Sequence, residues 1–282
     1  LAARSLTVAT LDDAETRAEA RARRRKEFRA EQEFARAHNA QMSYGAALRL
    51  YAKQIAQIIG FHAEGDPLLV PPEKMTELTE ALRRYTAGTL PWARAAAWRM
   101  IKEVNRRNLT AWQRYTAEMS YQMRQEILNA PTGEAMVGLL NEQVGLITSL
   151  PLDAAQRVHE NTLNAISLGS RYPELEGDIR EALALAHPDA TEEWLNYRAT
   201  LIARTETART ASVLVQARAV HVGADSYIWK TSGDWKVRPS HRRLNNHEFR
   251  WDDPPLSDPP DHHSHPGQIW NCRCVALPIL PE

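Results

Sequence analysis

Cys272 and Cys274 are the only cysteines in the chain, and they stand two apart in a tail crowded with Pro and His. In an extended segment side chains alternate between faces, so residues two apart point the same way. Both sulfurs therefore face one side, and Arg273 faces the other. A disulfide closing so short a loop would gain little entropy and fit the required geometry poorly. Two thiols on one side in a histidine-rich neighbourhood point instead to a metal clip or a tight structural corner. Two cysteines in a chain of 282 residues also argue against a disulfide scaffold and for a reducing compartment.

The chain ahead of this tail reads as helix. Leu11 to Asn39 lacks Gly and Pro and carries the basic run Arg21-Ala-Arg23-Arg24-Arg25-Lys26. Such a run could contact phosphates, or form a solvated face balanced by Glu19, Glu27, Glu31 and Glu33. Residues 40–59 continue helical through Leu48, Tyr51, Ile55 and Ile58, with Gly60 as a stop. A short helix over 73–87 ends near Gly88, and Pro91 opens a long one whose face runs from Ile101 to Ile127. Two amphipathic helices follow over 134–148 and 152–168, with Pro151 opening the second, and a short one covers about 176–186. Asp189-Ala-Thr-Glu192 reads as a capping box opening a last long helix, which Gly223 stops. Trp194, Tyr197, Leu201, Ala208, Ala211, Val215 and Val222 form its expected apolar face. Arg204, Glu206 and Arg209 interrupt that face, either as a polar anchor for the tail or as ordinary surface ion pairs.

After Gly223 the pattern changes. Tyr227-Ile-Trp229 favours a strand, Ser232-Gly-Asp234 and Asn245-Asn246 favour turns, and Glu248 to Trp251 favours a second strand. Five prolines between 252 and 268 exclude regular structure there, and Ile269 to Leu280 returns as a strand through the cysteines. The expected class is α+β, a mostly helical N-terminal region with a small irregular β-hairpin module packed on a long helix. Lys plus Arg and Asp plus Glu are both 35, so the overall charge gives no case for binding nucleic acid. No apolar run approaches the roughly 20 residues a membrane span needs.

Zinc takes thiolates and imidazoles in a tetrahedron, with four protein ligands in closed sites. Cys272, Cys274 and His241 supply three candidates. The fourth is open among His247, His262, His263, His265 and Asp234, and His265 is the one carried forward. The alternative is a polar knot in which Asp234 and Glu206 hold Arg238 and Arg204 while the cysteines pack as small apolar groups. Either arrangement would staple a module expected to lack its own apolar core. Two catalytic readings compete. Asp261-His262 has the start of a ββα-metal nuclease site but no following helix to complete it. Cys272 could act as a nucleophile with His241 as base, but no further group supports it. No phosphate-binding loop, nucleophile elbow or dinucleotide fingerprint is present.

Four blocks in order, Ile202-Ala-Arg-Thr-Glu206-Thr-Ala-Arg209, Tyr227 to Asp234, Val237-Arg-Pro-Ser-His241 and Cys272-Arg-Cys274, resemble the phage Mu F-like head morphogenesis family. The resemblance covers roughly residues 145–280, so the expected division is a helical region over 1–145 and a Mu F-like domain over 146–282. Within that domain helices fill 152–222 and the β module fills 224–281. The family implies a minor head protein of a tailed bacteriophage, assembled in the bacterial cytoplasm and resident in the virion head, with no established enzymatic activity. Its implied partners are the portal protein, the major capsid or scaffold proteins, and packaged double-stranded DNA, with no membrane. A structural zinc ion is the only cofactor expected. The alternatives are a metal-dependent nuclease and a DNA-binding protein acting on the phage genome.

Overall fold

The computed structural model describes residues 34, 37–63, 70–171, 190–258 and 260–281. The basic run Arg21 to Lys26, the short helix expected over 176–186 and the cap at Asp189 lie outside the described residues. The elements in order are α1 (His38–His62), a 3-10 turn (Pro72–Lys74), α2 (Met75–Tyr115), α3 (Tyr121–Leu128), α4 (Gly133–Arg171) and α5 (Ala190–His221). Then come β1 (Ser226–Lys230), α6 (Pro239–Leu244), β2 (Glu248–Arg250), β3 (Leu256–Asp258), β4 (His262–His263) and β5 (Val275–Ile279). The class is α+β, as the change of pattern at Gly223 requires. Among the described residues no helix is long and apolar enough to cross a membrane.

Four helix boundaries differ from expectation. Gly88 and Pro91 lie inside α2, and Pro151 lies inside α4, so each pair of expected helices is one rod. An interior proline deletes one backbone bond and costs about 3 kcal/mol. At Pro91 the cost is contained because Ala87, whose carbonyl loses its partner, is exposed to water. Packing of the turns on both sides holds each rod together, as tertiary contact outweighs local propensity. Conversely, the helix expected to run through Ile127 stops at Tyr115. Ser120 then caps α3 by accepting from the Met123 N–H at 3.2 Å. No Gly or Pro marks this break. α1 likewise runs two residues beyond Gly60.

The chain forms two compact units. The all-helical unit takes the described residues within His38–Val104 and Gly133–Thr210. Its core takes Leu48, Ile55 and Ile59 from α1, Leu78 and Leu82 from α2, Ile147 and Leu150 from α4, and Leu195 and Ile202 from α5. Tyr51 stacks between Tyr85 at 5.3 Å and Trp92 at 5.0 Å. Gly45 is required where α1 meets α5, since a Cβ there would come within 3.3 Å of the Ala203 side chain.

Of the described residues, the mixed unit takes Phe34, Ala37, Asn105–Thr132 and those from Ala211 onward. A three-stranded antiparallel sheet runs β2-β1-β5, with Tyr227 opposite both Phe249 and Pro278, and Trp229 opposite Ala276. Pro278 is tolerated because β5 is an edge strand. The Pro-rich segment is more regular than expected, since β3 and β4 pair across it. The expectation of a module without a core is wrong. Tyr227, Trp229, Trp251, Cys272, Cys274 and Leu277 close on Trp112, Ile127, Val215 and Ala219 in one buried cluster. Three large aromatics supply the apolar area that so short a segment would otherwise lack. Tyr115 ties the end of α2 to the edge strand, its hydroxyl donating to the Pro278 carbonyl at 2.9 Å.

Candidate metal centre

His241, Cys272 and Cys274 converge from segments some 30 residues apart, which the sheet brings together. Pro239 sits in the first turn of α6, where a missing N–H costs nothing, and one turn of helix carries His241 inward. Asn246 adopts φ 66° and donates its N–H to the Trp229 carbonyl, closing the return of the chain onto β1. On the other side Asn271 adopts φ 57°, and the Cys272 N–H donates to the Ile269 carbonyl at 3.1 Å. This tight turn delivers the cysteines just before β5 begins at Val275. The expected strand through the cysteines is therefore shorter than predicted, but the alternation of side chains holds. Both sulfurs face His241, and Arg273 points away to Asp234.

The three side chains are buried, and their ligand atoms lie within 4.8 Å of one another. His241 Nδ1 is 3.6 Å from Cys272 Sγ and 3.4 Å from Cys274 Sγ. A tetrahedral zinc ion, with bonds of about 2.3 Å to sulfur and 2.0–2.1 Å to nitrogen, would hold those atoms about 3.5 Å apart. The Gly267 N–H donates to Cys272 Sγ at 3.3 Å, a contact that favours the thiolate. Cys272 is held well below the usual thiol range by its hydrogen bond with Cys274, reinforced by His241 and opposed by burial. Cys274 is pushed up by its hydrogen bond to Cys272, by burial and by the Cys272 charge. One thiol of the pair thus ionises readily, and a second negative charge needs a nearby cation. The Trp229 ring meets His241 edge to face at 5.2 Å, while His241 Nε2 is buried without a partner. These residues can hold a metal, with three protein ligands among the described residues.

No other His, Cys, Asp or Glu among the described residues joins the group. His265 sits elsewhere, with its ring nitrogen 3.0 Å from the Tyr227 hydroxyl and its imidazole tilted over Trp251. Its burial lowers its pKa. His263 donates to the Pro254 carbonyl from exposed β4, which also carries exposed His262, and His247 is exposed.

Asp234 pairs with Arg273, not Arg238, through two bonds of 2.5 and 2.6 Å. Those bonds hold its carboxyl down at about 2. Arg238 donates instead to the Trp270 carbonyl at 2.8 Å. The pair and the arginine lace the two segments together beside the three ligands. The sequence held one signal for this pairing that went unused, because the alternation that aims the sulfurs one way aims Arg273 the other.

Glu206 and Arg209 take partners within the helical unit. Arg209 bonds Glu142 at 2.8 Å, and burial raises the Glu206 carboxyl, with Arg209 pulling it down and Glu142 pushing it up. Tyr44 and Glu206 act on each other electrostatically, and Arg204 is half-buried on α5.

A small β module bound to helices by aromatic packing, with a buried His-Cys-Cys group under its turn, describes the class of this protein. Its particular kinship follows from comparison. Residues 156–277 match the family model described as Phage Mu protein F like protein, the family that the four blocks resemble. Over 144 residues the chain is 29% identical to a Haemophilus influenzae protein described as "Uncharacterized protein", an alignment covering 50% of this chain and 30% of that one. The chain thus spans under a third of that relative's length. No solved structure matches.

Proposed function

We propose that the protein is a structural, non-enzymatic component of phage head morphogenesis, in which a zinc ion held by His241, Cys272 and Cys274 stiffens a docking module for the portal or inner head surface. The observation carrying this reading is the convergence of three buried ligand atoms at tetrahedral separations beside the turn at Asn271. A structural metal contributes its binding free energy to folding, and here it would fix the cysteine turn against α6. Asp261 and His262 lie at the exposed β3–β4 hairpin with no described helix after them, which disfavours a nuclease site. The virion head is the location this reading implies. Packaged double-stranded DNA remains the proposed contact of Arg21, Arg23, Arg24, Arg25 and Lys26.

The test is affinity capture of the tagged chain during head assembly. Recovery of portal or capsid protein with the intact chain, and its loss with His241→Ala at equal expression, supports the reading. EDTA-sensitive cleavage of DNA by the purified chain, with no head protein captured, overturns it.

A further inference from the structure

We propose that the surface around Trp235 and Trp270 binds single-stranded nucleic acid. Trp235 is 81% exposed and Trp270 50% exposed, both on the mixed unit's irregular segments. The two loops carrying them are joined. Asp234, beside Trp235, holds Arg273, and Arg238 donates to the carbonyl of Trp270. Arg242 in turn donates to the carbonyl of Trp235 at 2.9 Å. Two indoles thus project from a braced surface, where burial of neither by its own chain explains their presence.

Apart from Asp234, the charged side chains flanking Trp235 and on α6 are positive. Lys236, Arg242 and Arg243 are exposed and Arg238 is half-buried, and among the described residues none of the four pairs with a carboxylate. Asp234 is neutralised by Arg273. The Lys236 ammonium lies 5.2 Å from the centre of the Trp235 ring. Lysine and arginine side chains are donors only. The ligand must therefore present acceptors repeatedly along its length and flat apolar faces between them. A single strand does both, with phosphates for the cations and bases for the indoles. An acidic protein segment supplies the charge without the stacking faces, and lysine is depleted at the centre of protein interfaces. A duplex offers the phosphates but keeps its bases stacked. The contacts invoked do not include the Arg21 to Lys26 run, and the proposed activity does not require a metal at the cysteines.

Fluorescence anisotropy of a labelled oligothymidylate of about 12 nucleotides tests this on the full chain, beside a mixed-sequence duplex and polyglutamate. The expected result is preferential binding of the single strand, with log affinity falling against log salt at a slope of about −2 to −3 for three or four phosphate contacts. Trp235→Ala and Trp270→Ala should each weaken binding by roughly 5- to 100-fold. The triple variant Lys236→Glu, Arg242→Glu, Arg243→Glu should abolish it, with unchanged thermal melting for all variants. Neutralising Arg21 to Lys26 should leave the single-strand affinity within about twofold, since none of the stacking and charge contacts invoked belongs to that run. Undetectable single-strand binding, equal binding by the tryptophan variants, or preference for polyglutamate would each overturn the proposal. None of these outcomes bears on portal capture or metal content, so the two readings fail separately.

Discussion

The two units bury polar groups in opposite ways. In the mixed unit three potential metal ligands from distant segments meet at one point, with a backbone N–H and an aromatic ring already turned toward them. In the helical unit the buried polar groups lie along helix faces. Gln143 donates to the Thr210 hydroxyl at 3.1 Å, while Glu206 keeps one carboxylate oxygen, and Tyr44 its hydroxyl, without partners. The first arrangement can gather its charge onto one ion. In the second, burial makes a carboxyl hold its proton to higher pH than an exposed glutamate would. Burial therefore says little about a polar residue until its partners are known.

The largest effect should come from breaking the ligand set. Cys272→Ser should cost on the order of 5 kcal/mol or more, because structural zinc contributes roughly 10 kcal/mol to small modules. Near-UV circular dichroism of the buried indoles should collapse with it. A loss of only about 1 kcal/mol would reduce the centre to a hydrogen-bonded corner.

Next comes Arg218, buried in the mixed unit and donating to Asn108 and Asn105 at 2.6 and 2.7 Å. Burial lowers its pKa to about 10. Arg218→Ala strands two amide oxygens and should cost about 2–4 kcal/mol in denaturant unfolding. A neutral result would show that water replaces the guanidinium, removing this contrast between the units.

The smallest effect tests the helical unit. Burial raises the Glu206 carboxyl above its unfolded value, so the folded state binds more protons just above the ordinary glutamate range. Stability from this group is then complete at low pH and declines as pH rises toward the folded pKa. Glu206→Gln should flatten that decline, raising the melting temperature by a few degrees at pH 8 with little change at pH 4. An unchanged pH profile would mean that the carboxyl is paired or hydrated in solution.

How much of this was legible in the sequence depended on whether a residue's role was local. The β strands at Tyr227 and Glu248, the left-handed turns at Gly233 and Asn246 and the facing of the two sulfurs followed from alternation and turn chemistry. The long rods α2 and α4 did not, because proline punctuation is a local signal and packing on both sides overrode it. The face of α5 departs from the apolar stripe for a related reason. Tyr197 is exposed and Ala208 and Ala211 are half-buried, whereas Thr207 and Thr210 are buried. Each threonine hydroxyl donates to the carbonyl four residues back, at 2.6 and 2.7 Å. A threonine satisfied by its own helix can go inside, which a search for apolar stripes does not detect. At the centre, Cys-x-Cys and His241 were readable, but not the Asp234–Arg273 pair, nor the dismissal of His265. Both are set by the turn at Asn271 and the packing of Trp251.

Elemental analysis of the chain purified without added metal or chelator tests the central claim most directly. The account predicts about one zinc per chain, retained through gel filtration and absent from Cys272→Ser and His241→Ala. Metal-free wild-type protein that melts at the same temperature with and without added zinc would contradict it.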